Sequence, residues 1–83
     1  MTPGQIVIPK SGRDKGLPMV IVGTEDEYAF IADGKMRRLD KPKKKKHKHL
    51  QITHTFVNLT PPCGRALQDA DLRKALRAYS EGR

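Results

Sequence analysis

Four residues in this chain have the chemistry of metal ligands or nucleophiles: His47, His49, His54 and Cys63. Structural zinc sites draw on such residues, but with paired spacings such as Cys-x-x-Cys, and here there is a single cysteine. His47 and His49 stand among lysines, whose charge opposes a bound cation. His54 falls on the apolar side of an alternating segment and is expected to be a hydrogen-bonded core residue. Cys63 lies between Pro62 and Gly64 with no base fixed beside it, so nucleophilic catalysis lacks its activating partner. Asp33 and Asp40 are accounted for by turn and strand-end roles. No glycine motif of the nucleotide-hydrolysing type is present. The expectation is a non-enzymatic chain with no catalytic residue, metal or cofactor.

The remaining chemistry is cationic. "KMRRLDKPKKKKHKH", residues 35–49, holds nine Lys and Arg side chains against the single Asp40. Its net charge of +8 equals that of the whole chain, so charges elsewhere cancel. A cluster of this kind points to phosphate, because cations that neutralise nucleic acid release its condensed counterions. The candidate contacts are Lys35, Arg37, Arg38, Lys41, Lys43, Lys44, Lys45, Lys46, His47, Lys48 and His49. A second group, Lys10, Arg13 and Lys15, surrounds Gly12 and Gly16 in "KSGRDKG". Arg13 is the member suited to bidentate phosphate contact. The bland alternative for this group is an ordinary turn with exposed charge. The lysine run also has the composition of a nuclear import signal. Acidic lipid fits less well, since no amphipathic anchor adjoins the run. Tyr28, Phe30 and Phe56 are expected on core faces, which leaves few rings for stacking bases. Recognition is therefore expected through backbone and shape.

These side chains need elements to hold them. Residues 5–9 ("QIVIP") predict a first strand, ended by Pro9, which cannot donate to a ladder. Residues 18–23 ("PMVIVG") are β-branched and too short for a typical helix, so they predict a second. "TEDE" is an acidic turn, and residues 28–33 ("YAFIAD") a third strand with Tyr28, Phe30 and Ala32 on one face. Asp33-Gly34 predicts a type I′ hairpin whose return strand is residues 35–40. A fifth strand follows the lysines, with Leu50, Ile52, His54 and Phe56 on one face. Pro61 and Pro62 break the structure. Residues 69–80 predict the one helix, with Asp69 as N-cap, a stripe of Leu72, Ala75, Leu76 and Tyr79, and Gly82 at the far end. A helix so short must dock to persist.

Eighty-three residues suffice for one small core. The lone cysteine favours a reducing compartment. No apolar run approaches the roughly 20 residues of a membrane helix, and the start "MTPGQ" lacks a signal core. A cytoplasmic protein with no membrane partner is expected.

"GQIVIPKSGRDKGLPMVIVG", residues 4–23, resembles the KOW motif of ribosomal proteins and transcription-elongation factors. The matching features are the motif glycines Gly4, Gly12 and Gly16, the alternation Ile6-Val7-Ile8, Lys15, and the strand "MVIV". With "ADGKMRRLDKPKKKKHKHLQ" and the final helix, residues 4–79 look like the small bacterial KOW-domain RNA-binding proteins, which are related to a large-subunit ribosomal protein family. One position departs: a second glycine often follows the Lys-Gly pair, and Pro18 stands there. The resemblance implies a mainly β fold, a small SH3-like barrel of about five strands over residues 1–60. A docked C-terminal helix over 61–83 completes it. It implies a monomeric RNA-binding module of the ribosome or another ribonucleoprotein. Its partners would be ribosomal RNA or another structured RNA, with ribosomal proteins beside it. The alternative is a KOW-type interaction module that recruits a transcription or translation factor.

Overall fold

A computed structural model describes residues 1–61 and 64–82. The expected break at Pro62 and the thiol of Cys63 lie outside the described residues. The chain forms strands β1 (Gln5–Pro9), β2 (Met19–Glu25), β3 (Tyr28–Ala32), β4 (Lys43–Lys46) and β5 (Leu50–Phe56), then helix α1 (Asp69–Glu81). A single 3₁₀ turn, His47–His49, joins β4 to β5. The sheet is antiparallel in the order β4-β3-β2-β1-β5, and β4 and β5 do not pair. The fold is thus mainly β, consistent with a small SH3-like barrel whose sheet is left open.

The apolar runs read as strands because both faces of the sheet are covered. Successive side chains on a strand point to opposite faces. Val7, Met19, Ile21, Ala29, Ile31 and Leu50 fill the core on one face. Ile6, Val20 and Ala32 meet Leu72 of α1 on the other, with Leu76 and Tyr79 packed alongside. A run such as "MVIV" therefore has no solvent side to make polar. Leu72 is fully buried, so the helical stripe docks on the chain's own sheet. Burial of a side chain of this size contributes about 1.5–3 kcal/mol.

Several local expectations are overturned. Residues 35–40 form no strand, and the partner of β3 is β4, three residues further on: Phe30 lies opposite Lys44 and Tyr28 opposite Lys46. Asp33 does not have the positive φ that a type I′ turn requires; only Gly34 does, at 77°. The cause is side-chain competition, since Asp33 Oδ1 accepts hydrogen bonds from the N–H groups of Lys35 (2.9 Å) and Arg37 (2.8 Å). The chain then folds over α1 instead of returning along β3. Glycine is required at this point, because a Cβ on Gly34 would run into the Asp69 carbonyl. The acidic turn narrows to Asp26-Glu27, while Thr24 and Glu25 belong to β2.

At the helix start Gln68, not Asp69, is the N-cap, in a reciprocal capping box with Asp71. Asp69 is drawn instead to the loop above it. Its carboxylate accepts from the Leu39 N–H at 2.7 Å and from Arg38 Nε at 3.3 Å. That Leu39 hydrogen bond, reinforced by the charges of Arg38 and Arg73, holds the Asp69 carboxyl below the usual carboxylate range. On β5 only Leu50 of the expected apolar face is buried. Ile52 and Phe56 are exposed, and His54 is exposed rather than a core residue. The ladder to β1 shifts register between Gln5 and Val7, so the alternation expected from Leu50 to Phe56 is broken between Ile52 and Phe56.

Candidate nucleic-acid interface

A tetralysine strand has poor intrinsic β-propensity, so β4 exists through its partners. Its backbone pairs with Tyr28–Ile31 of β3, and its charge is then sorted by the pleat. Lys44 and Lys46 go to one face. There Lys44 Nζ stands 4.6 Å from the Tyr28 ring centroid and 5.9 Å from that of Phe30, and Lys46 Nζ is 5.9 Å from Tyr28. Glu25 pairs with Lys44 at 3.4 Å and Glu27 with Lys46 at 3.9 Å. Lys45 reaches the opposite way, and its Nζ donates to the Ser11 carbonyl at 2.6 Å.

That last bond joins the two basic segments singled out by sequence. At the 3₁₀ turn the Lys10 N–H donates to the His49 carbonyl at 2.8 Å, which carries the β1–β5 ladder one step into the loop at residues 10–16. The 3₁₀ turn is fixed in turn by the His47 N–H on the Glu27 carbonyl, at 2.9 Å. The loop that carries Lys10, Arg13 and Lys15 thereby meets the segment that carries Lys43, Lys45 and Lys48. Among the described residues Lys10, Arg13, Lys15, Lys43 and Lys48 carry no ion pair. Gly12 and Gly16 of this loop have φ of 86° and 81°, and Gly4, at 96°, opens β1. All three motif glycines occupy backbone that favours glycine.

Residues 35–41 go elsewhere. Arg37 is turned inward, where its Nε meets Asp14 at 3.0 Å and the Asp14 side chain is nearly fully buried. Arg38 is occupied with Asp69, and Arg73 of α1 donates to the Gly34 carbonyl at 2.6 Å. Lys35 and Arg38 line a groove of about 910 Å³ with Arg73, Arg77 and the apolar Leu17 and Leu76. The continuous basic segment of the sequence is thus two surfaces. One joins residues 43–49 to the loop at 10–16; the other joins residues 35–38 to the helix.

Three participants escaped the sequence reading. Asp14 sits inside a basic loop and reads as one more turn residue, yet it is the buried anchor of Arg37. Arg73 and Arg77 are four apart on α1, a spacing that puts both on one face and was open to notice. Tyr28 and Phe30 do share a face with Ala32, as expected, but only Ala32 is covered. Neither ring belongs to a core cluster, and both are half-buried beneath lysines. Among the described residues no three His, Cys, Asp or Glu side chains converge on a metal position, and no helix is long and apolar enough to cross a membrane. Comparison with protein-family models and with curated proteins finds no match to this chain.

Proposed function

We propose that this chain is a non-enzymatic RNA-binding module that engages phosphates along the lysine strand and the loop at residues 10–16. The observation that carries the reading is the pair of bonds Lys45–Ser11 and Lys10–His49. They bring together two basic segments, distant in sequence, that among the described residues hold five cations without an ion pair. Lysine suits this use as a point charge for phosphate rather than a reader of base edges. The preference for RNA, and for a ribosomal or other ribonucleoprotein setting in the cytoplasm, draws on the resemblance of residues 4–79 to KOW-domain proteins. Ribosomal RNA is the partner that this resemblance favours.

The test is whether the purified protein carries nucleic acid, seen as excess absorbance at 260 nm that ribonuclease removes. In a cell lysate the protein should sediment with ribosomal particles and leave them in a high-salt wash. A protein free of nucleic acid that never sediments contradicts the proposal. A second reading, recruitment of a translation or transcription factor, is favoured by the groove between residues 33–38 and α1, which is lined by apolar side chains and four cations. Arg77→Glu with Met36→Asp separates the two, since the RNA reading expects these changes to leave RNA affinity intact.

A further inference from the structure

We infer that Tyr28 and Phe30 form a stacking platform for unpaired bases beside the phosphate-binding edge, an inference that rests on the RNA-binding reading above. The two rings are at positions i and i+2 of β3, so they stand side by side on one face. On that face the sheet outruns α1: Ala32 is covered by Leu72, whereas Phe30 and Tyr28 lie outside both clusters of core residues. The partner of Phe30 on β2 is Gly23, which has no side chain to lay over the ring. What covers the rings is ammonium, at 4.6 Å from Tyr28 and 5.9 Å from Phe30. An ammonium over a half-buried ring is held by cation–π attraction, and a base face competes for the same π surface.

Charge on this face also argues for bases rather than phosphate. Lys44 is matched by Glu25 and Lys46 by Glu27, so the face offers little net attraction to an anion. The unpaired cations lie with Lys43, Lys45 and the loop at 10–16. One edge strand therefore parts two chemistries: a cationic side for the backbone and a neutral aromatic side for bases. Spacing selects the ligand. Two residues of strand rise about 6.6 Å, whereas stacked bases in a duplex step by about 3.4 Å. Two rings so far apart suit bases splayed from one another, which an unpaired strand offers and a duplex does not.

The chain has no Trp and two Tyr, so Tyr79→Phe leaves Tyr28 as the one tyrosine fluorophore. In that background a short oligoadenylate should quench Tyr28 emission, whereas inorganic polyphosphate of equal charge should bind without quenching. Tyr28→Leu and Phe30→Leu should each lower oligoadenylate affinity roughly tenfold and leave polyphosphate affinity and the melting curve unchanged. Oligoadenylate binding with unaltered emission and unaltered Tyr28→Leu affinity overturns the platform but leaves the phosphate surface standing. Equal quenching by polyphosphate also overturns it, since the signal then reports movement of Lys44. Failure of both polymers to bind removes the RNA-binding reading and the platform with it.

Discussion

β4 and β5 are the two strands of the sheet with an unpaired side, and their compositions have nothing in common. β4 is four lysines; β5, "LQITHTF", has seven residues and no Lys, Arg, Asp or Glu. An open edge invites pairing with another chain, and lysines are a common way to blunt it. In this protein the longer edge does without them. β5 is interrupted by a register shift and spends Thr53 on the Ile6 carbonyl, at 2.6 Å. Edge protection is thus available here by uncharged means, and it does not account for four consecutive lysines. The loop at 10–16 runs on from the β1–β5 ladder, and at β4 it is met by a lysine side chain, Lys45 on the Ser11 carbonyl. The difference makes placement rather than total charge the mark of the edge proposed to bind RNA.

Moving the charge breaks or sustains that comparison with the largest effect. A variant with Lys43, Lys44, Lys45 and Lys46 changed to Gln, and Gln51, Ile52, His54 and Thr55 changed to Lys, keeps the formal lysine count. Its RNA affinity should remain depressed about tenfold or more, with a melting curve showing a folded domain. Recovery of wild-type affinity would mean that charge matters without position.

Leu72→Ala tests whether the two edges share a core while differing in function. The residue is fully buried between sheet and helix, so truncation should cost about 2–5 kcal/mol. Melting should fall by about 4–8 °C for each kcal/mol lost. At temperatures where the variant is folded, RNA affinity should match wild type, because Leu72 clusters with Ile6, Val20 and Ala32, which belong to neither β4 nor the loop at 10–16. Loss of affinity in the folded variant would make the helix part of the binding surface.

The smallest effect concerns pH on the β5 side. Arg65 grips Asp71 through two hydrogen bonds, at 2.7 and 2.8 Å, beside the segment that follows β5. That grip, with the Gln68 N–H, holds the Asp71 carboxyl down to about 2 from its ordinary 3.8. A carboxyl depressed on folding stabilises above its unfolded pKa and loses that contribution as pH falls. The capping box at the start of α1 should therefore loosen between about pH 4 and pH 2, and Asp71→Asn should remove this pH dependence. Helicity followed by circular dichroism across that interval is the check, and an identical acid profile in the variant contradicts it.

How far the fold was legible depended on whether side chains competed with the backbone. β1, β2 and β3 were readable because runs of Ile and Val suit a sheet covered on both faces, and α1 because Leu72, Leu76 and Tyr79 repeat at helical spacing. The return strand was not. Asp33 bonds the N–H groups of Lys35 and Arg37, Arg73 takes the Gly34 carbonyl, and Asp69 takes the Leu39 N–H. These are tertiary contacts that no local pattern announces. β4 was illegible for a related reason, since lysine has little strand preference and the segment is held by β3. Burial of Tyr28, Phe30 and Phe56 was misread because aromatic residues on an alternating face are ordinarily core. Here the helix packs on Ala32 and not on the two rings, and Phe56 lies beyond a register shift in the β1–β5 ladder that breaks the alternation.

The most direct test is the salt dependence of RNA binding by wild type and by the variant with Gln at positions 43–46 alone. If the lysine edge and its adjoining loop engage about four to six phosphates of an unpaired strand, log K against log salt should slope by roughly −3 to −4. The variant should bind unrelated RNAs more weakly by a similar factor and show a visibly flatter slope. An unchanged slope at unchanged affinity would take the lysine strand out of the binding surface and contradict the account.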